Sequence, residues 1–155
     1  MKSILALLLF IIIVFNAAFV ANRFRPGAWY KGLQKPSWTP PNWLFPTVWT
    51  VLYILIAVSG WLVWRETSVK AALFPLIIYL GQLILNALWT WFFFGLHKPG
   101  LAFLDIVALW FFIVFTIILF WPFSKLAGIL LLPYLLWITF AATLNYCVWK
   151  MNSSS

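Results

Sequence analysis

The chain is 155 residues long, with 66% hydrophobic and only 8% charged side chains. Soluble domains run nearer half apolar and a quarter charged, so a water-soluble globule is excluded; its surplus apolar surface would aggregate. The net charge of +8 comes from ten Lys and Arg residues scattered at the ends of apolar runs, a placement that excludes nucleic acid as a partner and reads as interface anchoring.

A helix needs about 20 apolar residues to cross the hydrocarbon of a bilayer. The first such stretch covers residues 4–21. Lys2 ahead of an apolar run resembles a secretory leader. The run is nevertheless 18 residues long, and Asn22-Arg23-Phe24-Arg25 follows it instead of a small-residue cleavage pattern, which favours a retained helix. Residues 22–44 then form a linker of 23 residues, long enough to suggest work as a lid or binding segment. Its stretch from Trp29 to Trp43 packs three tryptophans and three prolines into 15 residues. Proline stiffens such a segment, and indoles seek an apolar bed with a wet N–H edge. Two readings follow: an interfacial aromatic belt, or a lid folded back over the helix ends. The proline and aromatic density favours the lid.

Four more spans follow, at residues 45–64, 71–94, 101–120 and 127–149, with a short tail at 150–155. Tight connections at 65–70, 95–100 and 121–126 make neighbouring helices antiparallel. Pro46, Pro75 and Pro133 fall near helix starts, where a missing N–H costs little. The expected architecture is an all-α membrane protein: one domain over residues 1–155, a five-helix bundle with a long structured first loop. Lys2, Arg65, Lys70 and Lys125 lie on the amino-terminal side, and Arg23, Arg25, Lys31, Lys35, Lys98 and Lys150 on the other. The richer side belongs in the cytoplasm, which places the first loop and the carboxyl terminus there.

Polar residues inside the spans must find partners. Gln82, Asn86, Trp89 and Phe93 share one face of the third span. Tyr134, Trp137, Ala141 and Asn145 do so in the fifth, and Trp49, Tyr53 and Ala57 in the second. The three faces are expected to converge inside the bundle. They serve either as glue between helices or as the wall of a pocket for a flat aromatic guest, which stacks on ring faces. Tight helix packing prefers small residues, and the large indoles of Trp49, Trp89 and Trp137 do not suit it. Asp105 is the one acid within a span. It reads as a carboxylate in the first turn of its helix, stabilised by the dipole. Glu66 reads as a surface charge and His97 as a solvated loop residue. Cys147 is the single cysteine. No cofactor or metal set is indicated, and no Ser/His/Asp set, paired carboxylates or phosphate-cradling loop occurs.

The run Trp29-Tyr30 to Pro40-Pro41 and the helix start Phe45-Pro46-Thr47-Val48-Trp49-Thr50-Val51-Leu52-Tyr53 resemble the translocator protein family, whose bacterial members are the tryptophan-rich sensory proteins. Gln82-x-x-Leu85-Asn86-x-x-Trp89 with Phe93-Phe94-Gly95 is similar to the family's third helix. Pro133-Tyr134-Leu135-Leu136-Trp137, Phe140-Ala141 and Leu144-Asn145-Tyr146 are similar to its fifth. The resemblance implies a membrane receptor or carrier for porphyrins, notably protoporphyrin IX, and for benzodiazepine-type ligands. The pocket would lie between helices one, two, three and five beneath the first loop. Carried over by motif, its wall is Tyr30, Pro40, Trp49, Tyr53, Asn86, Trp89, Trp137 and Ala141. Two alternatives come with the family: light-dependent porphyrin breakdown using Trp49 and Trp137, and sterol binding or transport through Leu144, Tyr146 and Lys150. The family setting is a bacterial inner or mitochondrial outer membrane, often as a homodimer. Here Gly81 and Ala87 supply small residues on the third span without a small-xxx-small pair.

Overall fold

The computed structural model describes residues 4–154; Lys2 lies outside them. In chain order the helices are α1 (Ile4–Ala21), α2 (Ala28–Lys31), α3 (Leu44–Glu66), α4 (Val69–Thr90), α5 (Pro99–Phe120), α6 (Lys125–Leu130) and α7 (Leu132–Asn152). A π-helical turn, Trp91–Gly95, prolongs α4. Counting α4 with that turn, and α6 with α7, five helical segments are long and apolar enough to cross a membrane. The chain is thus the all-helical, multi-pass membrane protein expected. Its outer surface is apolar: Ile84, Leu104 and Leu136 are 62%, 67% and 72% exposed, which suits hydrocarbon and would drive aggregation in water.

Helix ends explain where the observed bounds differ from the expected ones. The Ser68 hydroxyl accepts from the Ala71 N–H at 3.3 Å, an N-cap that starts α4 two residues early. Pro75 therefore lies inside the helix and not near its start; its ring nitrogen cannot bond the Ala71 carbonyl. Pro99 opens α5, where a ring nitrogen costs least. That earlier start moves Asp105 beyond the first turn, which holds no acid. The dipole effect fades within one turn, so the expected dipole role for Asp105 does not hold. Ser124 caps α6 through the Ala127 N–H at 3.3 Å. The fifth span breaks at Leu131, just before Pro133.

Around the bundle α1 packs on α3 and α4, α4 on α5, α5 on α7, and α3 on α6. The ring of helices therefore runs α1, α3, α6–α7, α5, α4. Gly60 permits the closest approach among α1, α3 and α4. A Cβ there would lie 2.7 Å from the Tyr79 ring and 2.8 Å from that of Phe10. Gly81 faces Phe112 of α5, which a Cβ would meet at 2.7 Å; this small residue serves packing within the chain. At one end of α3 the Ser59 hydroxyl donates to the Ala127 carbonyl at 2.8 Å. Towards its other end α3 faces α7, and aromatic side chains span the distance.

Candidate functional site

The three polar and aromatic faces converge. Tyr53, Ala57, Gln82, Asn86, Phe93, Tyr134, Ala141 and Asn145 are buried, while Trp49, Trp89 and Trp137 are half-buried. Hydrogen bonding explains the inward turn, since an amide facing lipid would lack partners. The Tyr53 hydroxyl donates to Asn86 Oδ1 at 3.3 Å. Asn86 Nδ2 donates to the Tyr134 hydroxyl at 2.9 Å, which in turn donates to Gln82 Oε1 at 2.7 Å. Tyr134 is the hub of a directional chain joining α3, α4 and α7. A second junction uses Trp89 Nε1, which donates to Asn145 Oδ1 at 2.8 Å. Asn145 Nδ2 donates to the Pro99 carbonyl at 2.8 Å. Among the described residues, three buried side-chain polar atoms keep no partner: Gln82 Nε2, Asp105 Oδ2 and Trp137 Nε1.

The rings assemble around this chain. Trp49 stacks on Tyr53 with centroids 5.4 Å apart. It meets Tyr134 edge-on at 6.2 Å and Trp137 at 6.5 Å and 90°. Trp137 touches Phe45 at 5.7 Å and Phe140 at 5.3 Å. Phe15 of α1 reaches Tyr53 at 6.2 Å. Edge-on and offset contacts of this kind follow from the ring quadrupoles. The rings touch one another here. Beside them, between α3 and α7, a groove of about 490 Å³ opens towards lipid, and Trp137 and Phe140 form part of its lining.

The first loop folds back over this end of the bundle. Tyr30 on α2 is buried against Phe93 at 6.3 Å and Phe94 at 5.5 Å. The π-helical turn lets these two consecutive rings reach the same partner. Burial pushes the Tyr30 phenol above its ordinary pKa. Lys35 Nζ donates to the Tyr30 carbonyl at 2.6 Å and lies 4.4 Å over the Tyr30 ring. Gln34 exchanges two hydrogen bonds with the Asn152 side chain. Trp29 stacks on His97 at 4.3 Å, and Trp38 leans on Phe140 at 5.7 Å.

Of the expected wall, Trp49, Tyr53, Asn86 and Trp137 belong to one contiguous cluster. Ala141 is in the same buried core. Tyr30 sits in a second cluster under the loop, and Trp89 packs against both. Pro40 is half-buried in the loop. Phe45, Phe140 and Trp38 join the cluster beyond the expected wall; the spacing of Trp137 and Phe140, one turn apart on α7, is the sequence signal for the second of them. The sterol-motif residues divide: Leu144 is buried, Tyr146 is 43% exposed, and Lys150 Nζ lies 5.7 Å over the Tyr146 ring. His97 is a loop residue, exposed and in the left-handed region at φ 56°. Among the described residues, no three of His, Cys, Asp or Glu gather as a metal set. The arrangement brings together stacked aromatic rings, an internally bonded chain of amides and phenols, and one buried indole N–H without an acceptor.

The model of the TspO/MBR family matches residues 4–150. The chain is 44% identical over 130 residues to Protein CrtK of Rhodobacter capsulatus, covering 83% of this chain and 81% of that one. It is 43% identical over 139 residues to the human Translocator protein, covering 86% and 82%. It is 40% identical over 158 residues to the Tryptophan-rich protein TspO of Chlorobaculum tepidum, covering 97% and 98%. With its span pattern, converging aromatic faces and folded first loop, the chain belongs to the TspO/MBR family.

Proposed function

We propose that the protein is a membrane receptor or carrier that binds porphyrins such as protoporphyrin IX, and similar flat hydrophobic molecules, at the Trp49–Trp137 cluster. The observation that carries this reading is the Trp137 indole N–H, buried without an acceptor amid stacked rings. An unpartnered buried donor costs about 1–3 kcal/mol, and a guest with an acceptor atom would relieve it. Trp49, Tyr53, Trp89 and Trp137 would supply ring faces, and Asn86, Tyr30, Pro40 and Ala141 the remaining wall. The first loop and the end of α7 share one side, through the Gln34–Asn152 bonds. Six of the ten cations fall on that side by the order of the spans, which supports a cytoplasmic placement.

The test is quenching of tryptophan fluorescence by protoporphyrin IX with the whole chain in detergent or nanodiscs. Saturable quenching is expected, and Trp137→Phe should weaken it about tenfold, the equivalent of one hydrogen bond. Linear, non-saturable quenching would refute binding. The edge-on Trp49–Trp137 contact favours one further reading, light- and oxygen-dependent porphyrin breakdown, in which dioxygen is the oxidant and the excited ring exchanges an electron with the adjoining indoles. Under that reading Trp49→Phe and Trp137→Phe slow bleaching of the illuminated complex; unchanged bleaching would dismiss it.

A further inference from the structure

We propose that the groove between α3 and α7 is a side entrance through which a flat guest dissolved in the bilayer reaches the aromatic cluster, with the Trp137 ring as its door. This rests on the binding reading above and adds the route. The groove is lined by Thr47, Val51, Leu55, Leu136, Trp137 and Phe140, among others. Its polar side chain is already satisfied, because the Thr47 hydroxyl donates to the Trp43 carbonyl at 3.1 Å. Val51 and Leu136 stand on its rim at 53% and 72% exposure, on helices that cross the membrane. Whatever covers this surface is therefore dissolved in hydrocarbon, and a greasy planar molecule partitions there.

The groove is continuous with the site, since Trp137 belongs to both. Its side chain lines the groove, and its ring meets Trp49 and Phe45 in edge-to-face contacts at 90° and 68°. Turning this ring breaks no hydrogen bond, because its N–H has no partner. The Trp89 indole of α4 is held differently, its N–H donating to Asn145 Oδ1 at 2.8 Å. The route from above is more tightly held. It would have to undo the two Gln34–Asn152 bonds, the Lys35 bond to Tyr30 and the Trp29–His97 stack. Beyond the groove, α3 is anchored to α6 by the Ser59–Ala127 bond, so the rings can part at this end while the other stays closed.

The experiment is stopped-flow mixing of protoporphyrin IX with phosphatidylcholine nanodiscs carrying the full chain, read as tryptophan quenching over a series of disc lipid contents. The double variant Val51→Phe with Leu136→Phe plugs the rim without touching the inner rings. Association should slow at least tenfold, with Kd within twofold of the parent, since entry and exit share the door. Val51→Ala widens the rim and should speed association, which keeps the idea testable where the plugged variant fails to fold. Association at the parent rate in both variants would overturn the entrance while leaving binding intact. So would a tenfold acceleration in Asn152→Ala, which points to entry under the loop. Absence of saturable quenching in the parent would instead remove the binding reading and the entrance together.

Discussion

Asn152 holds Gln34 as one strand holds another: its Oδ1 accepts the Gln34 N–H at 3.0 Å, and its Nδ2 donates to the Gln34 carbonyl at 2.9 Å. A side-chain amide at the end of the last helix thus fastens the first loop. Asn152→Ala removes both bonds, each worth about 0.5–1.5 kcal/mol net. Amide exchange at residues 33–35 should accelerate several-fold while exchange in α4 stays unchanged. Equal exchange in the variant would mean that Trp29, Tyr30 and Lys35 suffice to hold the loop.

Tyr134 and Tyr53 both contribute hydroxyls to the interior, but not equally. Tyr134→Phe strips the hub and leaves Asn86 Nδ2 and Gln82 Oε1 without partners, a loss of about 1–3 kcal/mol for each stranded group. Tyr53→Phe removes a single longer bond of 3.3 Å and strands one acceptor, Asn86 Oδ1, a smaller loss of about 1 kcal/mol. Thermal or SDS denaturation in detergent should rank Tyr134→Phe well below Tyr53→Phe. Equal stabilities would contradict the directional chain.

Gly60 and Gly27 give a paired test of close packing. Alanine at 60 would put its Cβ within 2.8 Å of two rings on neighbouring helices, an overpacking cost of about 1–3 kcal/mol. Alanine at 27 meets nothing within 4 Å. Melting in detergent should fall clearly for Gly60→Ala and stay level for Gly27→Ala.

Asp105 is a carboxyl in the bundle with one oxygen buried and unbonded. Replacing such a group with an apolar residue of similar volume is often neutral or stabilising. Asp105→Leu should therefore match or exceed the parent in thermal stability. A loss of several kcal/mol would show that the carboxyl has a partner in the membrane.

Much of this was legible in the sequence, for reasons of solvent. Lipid penalises any unpaired amide, so Gln82, Asn86 and Asn145 declared the inner faces of their helices before any coordinates did. The proline and tryptophan density of residues 29–43 likewise announced a loop that folds back. What stayed hidden depends on phase and ends. Ser68 and Pro99 shifted two helix starts by two residues each; the second carried Asp105 out of the reach of its helix dipole, and the first drew Pro75 into the interior. Phe45 and Phe140 are ordinary apolar letters in apolar runs, and only the approach of α3 to α7 makes them partners of Trp137. Asn152 lies past the expected end of its span, where composition alone gave it no task.

The π-helical turn at Trp91–Gly95 makes chain length itself a design quantity. It holds one residue more than an α-turn would, and each residue turns a helix by about 100°. Excising a single position there would tighten the helix and swing Phe93 and Phe94 away from Tyr30, while pulling Pro99, the first residue of α5, along with them. This stretch is sensitive to arithmetic, and a deletion would be felt on both sides of it at once.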